Sequence, residues 1–247
     1  MQLRGRSALV TGAGRRVGQA IAVALGAEGM RVAVHYHGSE TGAAEAARLI
    51  ERAGGEAVLL SGDLSTGEAP ARVAVEAAER LGGLAVLVNS AAIMERTPFG
   101  ETTPEQWERI FGINLRAPFL LAQAAAPHLR AEARRGGAAI VNIADLAAFE
   151  TWPGYIPHGL SKHGVVRLTE SLARVLAPDV RVNAVAPGTV LLPENFSDAD
   201  AEHLRETTPL GRHGSPDDVV QAVRYLLAAD FVTGETIVVD GGRRVRR

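Results

Sequence analysis

The sequence predicts an α/β fold, a doubly wound parallel sheet of seven strands with helices on both faces, in one domain over residues 1–247. Three observations carry this reading. Short β-branched runs alternate with longer Ala-rich stretches of helical length, the pattern of strands joined by crossover helices. Several of the runs are apolar without interruption, as strands covered on both faces are. The chain exceeds the roughly 100–150 residues of an ordinary domain, but one such sheet accommodates the length without a second core.

The strands are expected at 7–11, 31–35, 56–61, 84–89, 138–143, 180–186 and 236–239. The first runs into a glycine-rich turn, and the second ends in His35-Tyr36-His37-Gly38-Ser39. Two helix starts stand out: Thr103-Pro104-Glu105-Gln106 and Ser215-Pro216-Asp217-Asp218 each combine a capping hydroxyl, a proline at the first helical position and a polar or acidic residue at the third. They place helices beside the fourth and seventh strands. The stretch 187–214 is the one connection too long for a simple turn; long loops of this kind are usually lids or binding loops, so substrate contact is assigned to it. No internal repeat or linker divides the chain.

Composition excludes several function classes. With no cysteine there is no disulfide, no thiolate catalysis and no cysteine-based metal site, and no metal is expected. The N-terminal residues lack a signal-peptide core, which points to a cytoplasmic protein. The longest charge-free apolar stretch, 117–129, contains Gln123 and Pro127 and falls short of the roughly 20 residues that span a bilayer, so no membrane role is expected. A net charge of −2 gives no general attraction to nucleic acid, although four of the last five residues are arginines.

The first strand ends in Thr11-Gly12-Ala13-Gly14-Arg15-Arg16-Val17-Gly18. A glycine-rich turn between strand and helix lets backbone N–H groups and the helix N-terminus approach a pyrophosphate. The third glycine comes one position late for the common G-x-G-x-x-G spacing, so the turn alone is a weak match. A site selecting the unphosphorylated cofactor carries an acid at the end of the second strand. Here that end offers His35, Tyr36, His37 and Ser39, with Arg15 and Arg16 nearby, donors that suit a 2′-phosphate. NADPH is the expected cofactor.

Taken together, the chain resembles the short-chain dehydrogenase/reductase family. The likeness covers nearly all of it: the 11–18 turn, Asp63-Leu64, Asn89-Ser90-Ala91, Asn114, Lys162, Pro187-Gly188 and Val239-Asp240-Gly241-Gly242. It implies a Rossmann-like sheet in the order 3-2-1-4-5-6-7 and a homotetramer. A narrower likeness is to pteridine reductases and bacterial dihydromonapterin and dihydrofolate reductases, through Thr11–Gly18, His35-Tyr36-His37-Gly38-Ser39, and Asp145 where most of the family carries the catalytic serine. That likeness implies hydride transfer to a small-molecule pteridine. Asp145 and Lys162 serve proton delivery, and Lys162 with Ile143 helps hold the nicotinamide end. Asn114 anchors a proton relay, and Tyr155, Met94 and Arg16 contact substrate. It also implies a terminal arginine, here Arg247, reaching a neighbouring active site.

At two positions, His158 and Met94, the chain departs from the pattern it resembles. In His158-Gly159-Leu160-Ser161-Lys162 a histidine stands where the family has its catalytic tyrosine. Four-residue spacing sets His158 and Lys162 on one helix face. An imidazole donates a proton efficiently only as imidazolium, which Asp145 favours and Lys162 opposes. Met94 stands where pteridine reductases stack an aromatic ring, and a thioether can also cover a flat ring. Three readings follow: an NADPH-dependent pteridine or similar reductase using Asp145 and His158; an NADPH-binding protein with impaired catalysis that binds or senses; and a carbonyl or 3-oxoacyl-thioester reductase.

Overall fold

In a computed structural model that describes residues 1–192 and 197–245, seven strands make one parallel sheet. They are β1 (Ser7–Val10), β2 (Arg31–Tyr36), β3 (Glu56–Ser61), β4 (Val86–Asn89), β5 (Ala138–Ile143), β6 (Val180–Pro187) and β7 (Thr236–Val239). Their order is β3-β2-β1-β4-β5-β6-β7, with every pairing parallel. Strand bounds match the sequence reading to within two residues. The differences lie at ends: Thr11 has left the strand to organise the turn, while Tyr36 and Pro187 extend theirs.

The helices are α1 (Arg16–Ala27), α2 (Glu40–Arg52), α3 (Ala69–Arg80), α4 (Pro104–Phe111), α5 (Ala117–Ala133), α6 (Ile156–Leu176), α7 (Asp198–Thr207) and α8 (Pro216–Ala228). Alternate strand residues feed two cores. Val10, Val34 and Val88 pack beneath Ile21 and Leu25 of α1, Ile50 of α2 and Leu226 of α8. Leu9, Leu87 and Ile140 face the other way, onto Val73 of α3, Leu121 of α5 and Leu176 of α6. Burial on both faces explains why these strands read as continuous apolar runs.

Both anticipated capping boxes form. Thr103 Oγ1 accepts from Gln106 N at 3.2 Å while Thr103 N donates to Gln106 Oε1 at 3.0 Å, and Ser215 N donates to Asp218 Oδ2 at 2.7 Å. The 187–214 connection is not an irregular loop throughout. It contains α7, started by a third box in which Ser197 N donates to Asp200 Oδ2 at 2.9 Å. Ser197-Asp198-Ala199-Asp200 lacks the proline that marked the other two starts and sits in a polar stretch, so periodicity did not reveal it.

Two devices carry the fold to the site. A π turn over Gly112–Arg116 joins α4 to α5 and turns Asn114 inward, and such wide turns often occur at functional sites. Within the sheet Asn89 Nδ2 donates to Asn142 Oδ1 at 2.8 Å, and Asn142 Nδ2 donates to Thr169 Oγ1 of α6 at 2.9 Å. Buried polar groups need such partners; here they lock α6 onto β4 and β5.

Candidate active site

The site is built at the carboxyl ends of the strands, where ligands bind in open α/β sheets. After β1, Thr11 Oγ1 accepts from Ser90 N at 3.0 Å and Ala91 N at 3.1 Å, tying the glycine turn to the chain after β4. Gly12 takes φ +64°, and a Cβ on it would sit 2.8 Å from Ala91 Cα; a Cβ on Gly18 would sit 2.3 Å from Gly12 O. Only glycine fits at either place, and the turn therefore leaves main chain bare above the start of α1. That cradle fits a pyrophosphate. Gly14 abuts Ser39, Val17 is half-buried, and Arg15 and Arg16 are exposed with no ion-pair partner among the described residues. Arg16 takes φ +54°, a conformation that costs a non-glycine residue about 1–2 kcal/mol.

His35 corrects one expectation. It is buried, with Nδ1 accepting from Gly12 N at 3.3 Å and Nε2 donating to Gly62 O at 3.0 Å. Burial, against the Gly62 hydrogen bond and reinforced by His37 and Arg72, lowers its pKa to about 4. The neutral ring braces the turn from beneath, and with both nitrogens occupied it is no phosphate ligand. Tyr36 is half-buried against the core, whereas His37 is exposed. Ser39 precedes α2 without its hydroxyl capping the helix, so hydroxyl and helix start both remain available. Glu40, exposed in the same first turn, is a carboxylate that the sequence reading did not weigh.

Other residues expected to bind cofactor split between surface and framework. Asp63 accepts from Ser65 N at 2.9 Å, and this bond with the Ser65 hydroxyl holds its carboxyl below the usual range; Leu64 beside it is buried. Asn89 Nδ2 is spent on Asn142, whereas the buried Asn89 Oδ1 has no hydrogen-bond partner among the described residues. Gly188 N donates to Val239 O at 2.9 Å, fastening Pro187-Gly188 to the end of β7.

At the proposed chemistry, Lys162 Nζ donates to Ile143 O at 2.9 Å and is buried; burial lowers its pKa, and Asp145 opposes that shift. Asp145 follows β5, its Oδ1 accepting from Ala147 N at 2.8 Å to start the 3₁₀ turn Leu146–Ala148. His158 lies in the first turn of α6, almost wholly buried. Its Nδ1 is 3.1 Å from Ile93 O, and the same carbonyl accepts from Asn114 Nδ2 at 2.9 Å. Asn114 Oδ1 takes Ile93 N at 2.9 Å, and Asn114 Nδ2 also reaches Ser161 Oγ at 3.1 Å. Asn114 Nδ2 also lies 3.4 Å from His158 Nδ1, but Ile93 O can only accept, so the shorter contact with it assigns the proton to Nδ1. Nε2 is then the free position. It stands 3.5 Å from Asp145 Oδ2, an ion-pair separation, yet among the described residues makes no hydrogen bond and is buried. The carboxylate, with its side chain 26% exposed, is the more accessible of the two.

Tyr155 is the residue before α6, half-buried and edge-on to Trp152 at 6.4 Å between ring centres. Thr97 N donates to Gly154 O at 2.8 Å, which brings the Met94 loop beside it, and Met94 is 51% exposed. Arg247 lies outside the described residues. Thr11, Ser161 and the Ile93 carbonyl went unrecognised in the sequence; the first two were visible as hydroxyls flanking named motifs, but a carbonyl leaves no residue-type signal. An open groove of about 690 Å³ lies between α1 and α8, lined by Ala20, Val23, Ala24 and Val220; none of Asp145, His158 or Lys162 lines it.

A glycine cradle at a parallel sheet's switch point, with a buried lysine, a carboxylate and a braced asparagine grouped beside it, defines a nicotinamide-dependent oxidoreductase. Residues 12–244 match the family model described as Enoyl-(Acyl carrier protein) reductase. The chain is 36% identical over 247 residues to 3beta-hydroxysteroid dehydrogenase 1 of Eggerthella lenta, covering 97% of this chain and 94% of that protein. It is 41% identical over 244 residues, covering 95% and 94%, to a Streptomyces violaceoruber protein named as a ketoacyl reductase of the granaticin polyketide synthase. The crystal structure of an acetoin dehydrogenase from Salmonella typhimurium superposes with a TM-score of 0.90 at 31% identity, covering 98% of this chain and 97% of that one. The chain belongs to the short-chain dehydrogenase/reductase family.

Proposed function

We propose that this protein is an NADPH-dependent reductase of a ketone, of the 3-oxoacyl-thioester or a related class. The observation that carries the reading is the Asp145–His158 pair, backed by Asn114 through Ile93 and set beside Lys162. Ketone and alcohol chemistry in the names of its relatives turns the choice towards a carbonyl rather than a pteridine. Asp145 in the serine position, with Tyr155 beside the site, favours the pteridine as the second reading.

The cofactor supplies a hydride to the substrate carbon. This chain's residues manage the proton. Lys162, with one N–H fixed on Ile143 O, has two more to orient ribose hydroxyls. Asp145, the more exposed of the pair, hands a proton to the forming alkoxide, and His158 Nε2, 3.5 Å away, returns one to it. Ile93 O keeps Nδ1–H in place, so that the proton that leaves is the one on Nε2. NADPH oxidation measured against a 3-oxoacyl thioester, a 3-oxosteroid, dihydrobiopterin and dihydrofolate tests the assignment. Turnover of the pterin alone would install the second reading, and NADPH binding without turnover of any would favour a binding or sensing role.

For the cofactor, Arg15, Arg16, His37, Ser39 and the open start of α2 support a 2′-phosphate, with Glu40 opposing. At least about tenfold tighter binding of NADPH than NADH is expected, roughly 1.4 kcal/mol. Arg16→Ala should narrow that ratio and Glu40→Gln widen it. Equal affinities by calorimetry refute the preference. From family likeness we also propose a cytoplasmic homotetramer, which light scattering on the purified chain tests. No helix among the described residues is long and apolar enough to cross a membrane.

A further inference from the structure

We infer that Arg244, stacked on Phe149, forms with Arg243 a binding position for an oxyanion carried by the substrate, a carboxylate or a phosphate. The inference rests on the reductase reading of the site and names the class of substrate it takes.

The position begins with the tail after β7. Asp240 Oδ1 accepts from Gly242 N at 2.8 Å and its Oδ2 from Arg244 N at 2.7 Å, so this carboxylate is spent on shaping the main chain. Asp240 packs so closely on Gly188 that a Cβ there would lie 2.9 Å from the Asp240 Cβ. Arg243 Nη1 donates to Thr189 Oγ1 at 3.3 Å, just past the end of β6. The tail thus lies across the carboxyl ends of the strands, the side that carries Asp145. Phe149 belongs to the same rim: its N–H donates to Leu146 O at 2.9 Å, closing the turn that Asp145 starts. The Arg244 guanidinium carbon is 4.9 Å from the Phe149 ring centre, and the ring still keeps 38% of the residue's surface exposed.

Charge makes this a site rather than a packing contact. Among the described residues neither Arg243 nor Arg244 has a carboxylate partner, and the buried Nε of Arg243 has no partner at all. Acids on adjoining segments are committed elsewhere, Asp218 to Arg212 and Glu150 to the Trp152 indole. A guanidinium held over an aromatic ring gains from the cation–π contact, and with no carboxylate partner its N–H groups can grip a planar or tetrahedral oxyanion with paired hydrogen bonds.

The test is calorimetry on the full chain holding oxidised cofactor, with two matched pairs. One pair is S-acetoacetyl-pantetheine 4′-phosphate and the same thioester without phosphate; the other is levulinate and its methyl ester. We expect the anionic member of one pair to bind at least about tenfold tighter than its neutral partner. Arg244→Ala should erase that difference, and Arg244→Lys should retain part of it. A preference in the first pair identifies a phosphate, one in the second a carboxylate. Equal affinities within both pairs, or a preference that survives in the Arg243→Ala/Arg244→Ala double variant, overturn the inference. Reduction of the neutral members by the wild-type chain with NADPH is followed separately. Turnover there without any charge preference removes the oxyanion position and leaves the reductase reading standing, whereas a charge preference without turnover does the reverse.

Discussion

His158→Phe is expected to lower kcat for reduction by about 10² to 10⁴, the usual contribution of one general acid. The variant keeps the ring volume among its buried neighbours while deleting both nitrogens. The loss should fall on kcat while KM and cofactor affinity change little, because the residue acts on the proton rather than on binding. His158→Tyr, which places the family's phenol at this position, should retain turnover that the Phe variant loses. Because the site is buried, circular dichroism and thermal unfolding of each variant separate lost chemistry from lost fold. An unchanged kcat in the Phe variant would falsify the role assigned to His158 and leave Tyr155 as the proton donor to examine.

A second large effect is expected at His35, on stability. Its pKa is near the ordinary 6.5 in the unfolded chain and about 4 in the fold. The unfolded chain therefore binds a proton first as pH falls. The stabilisation is complete above about pH 6.5 and is lost progressively down to about pH 4, a total of about 3 kcal/mol from this residue. Protonation would put a second N–H on Nδ1, facing the Gly12 N–H that it now accepts, so the glycine turn should loosen as the ring charges. His35→Gln can keep a donor towards Gly62 and an acceptor towards Gly12 without titrating. Urea unfolding of both proteins at intervals from pH 7.5 to about 4 should give a stability difference that shifts in favour of Gln as the solution is acidified. Parallel curves would show that His35 does not carry the acid sensitivity.

What could be read in advance was whatever depends on residue type in a local pattern. Apolar strands such as Ala138 to Ile143, the Thr103 and Ser215 boxes and the glycine turn all have local physical causes, and the structure places each where the sequence puts it. His158 and Lys162 could be grouped because one helical turn brings them together, and Asp145 joined them through the family likeness. What could not be read depends on which way a side chain faces at a strand end. His35 and His37 share a type and sit two apart, yet one is buried and neutral and the other exposed. Arg244 could not be paired with Phe149, nor Asn114 with Ile93, because those contacts join segments distant in sequence whose approach is set by the packed sheet.

The shared carbonyl of Ile93 has a consequence for how this site tolerates change. The group that orients both the asparagine and the histidine is main chain, so the identity of residue 93 can drift among residues of similar backbone preference without disturbing either. An alanine scan would pass over the position as neutral. Insertions, deletions or a proline at residue 94, which re-aim the carbonyl, would disable Asn114 and His158 together. The linkage therefore protects the geometry against substitution while leaving it exposed to changes in loop length. Engineering of substrate range around Met94 should accordingly exchange side chains and preserve the number of residues between β4 and α4.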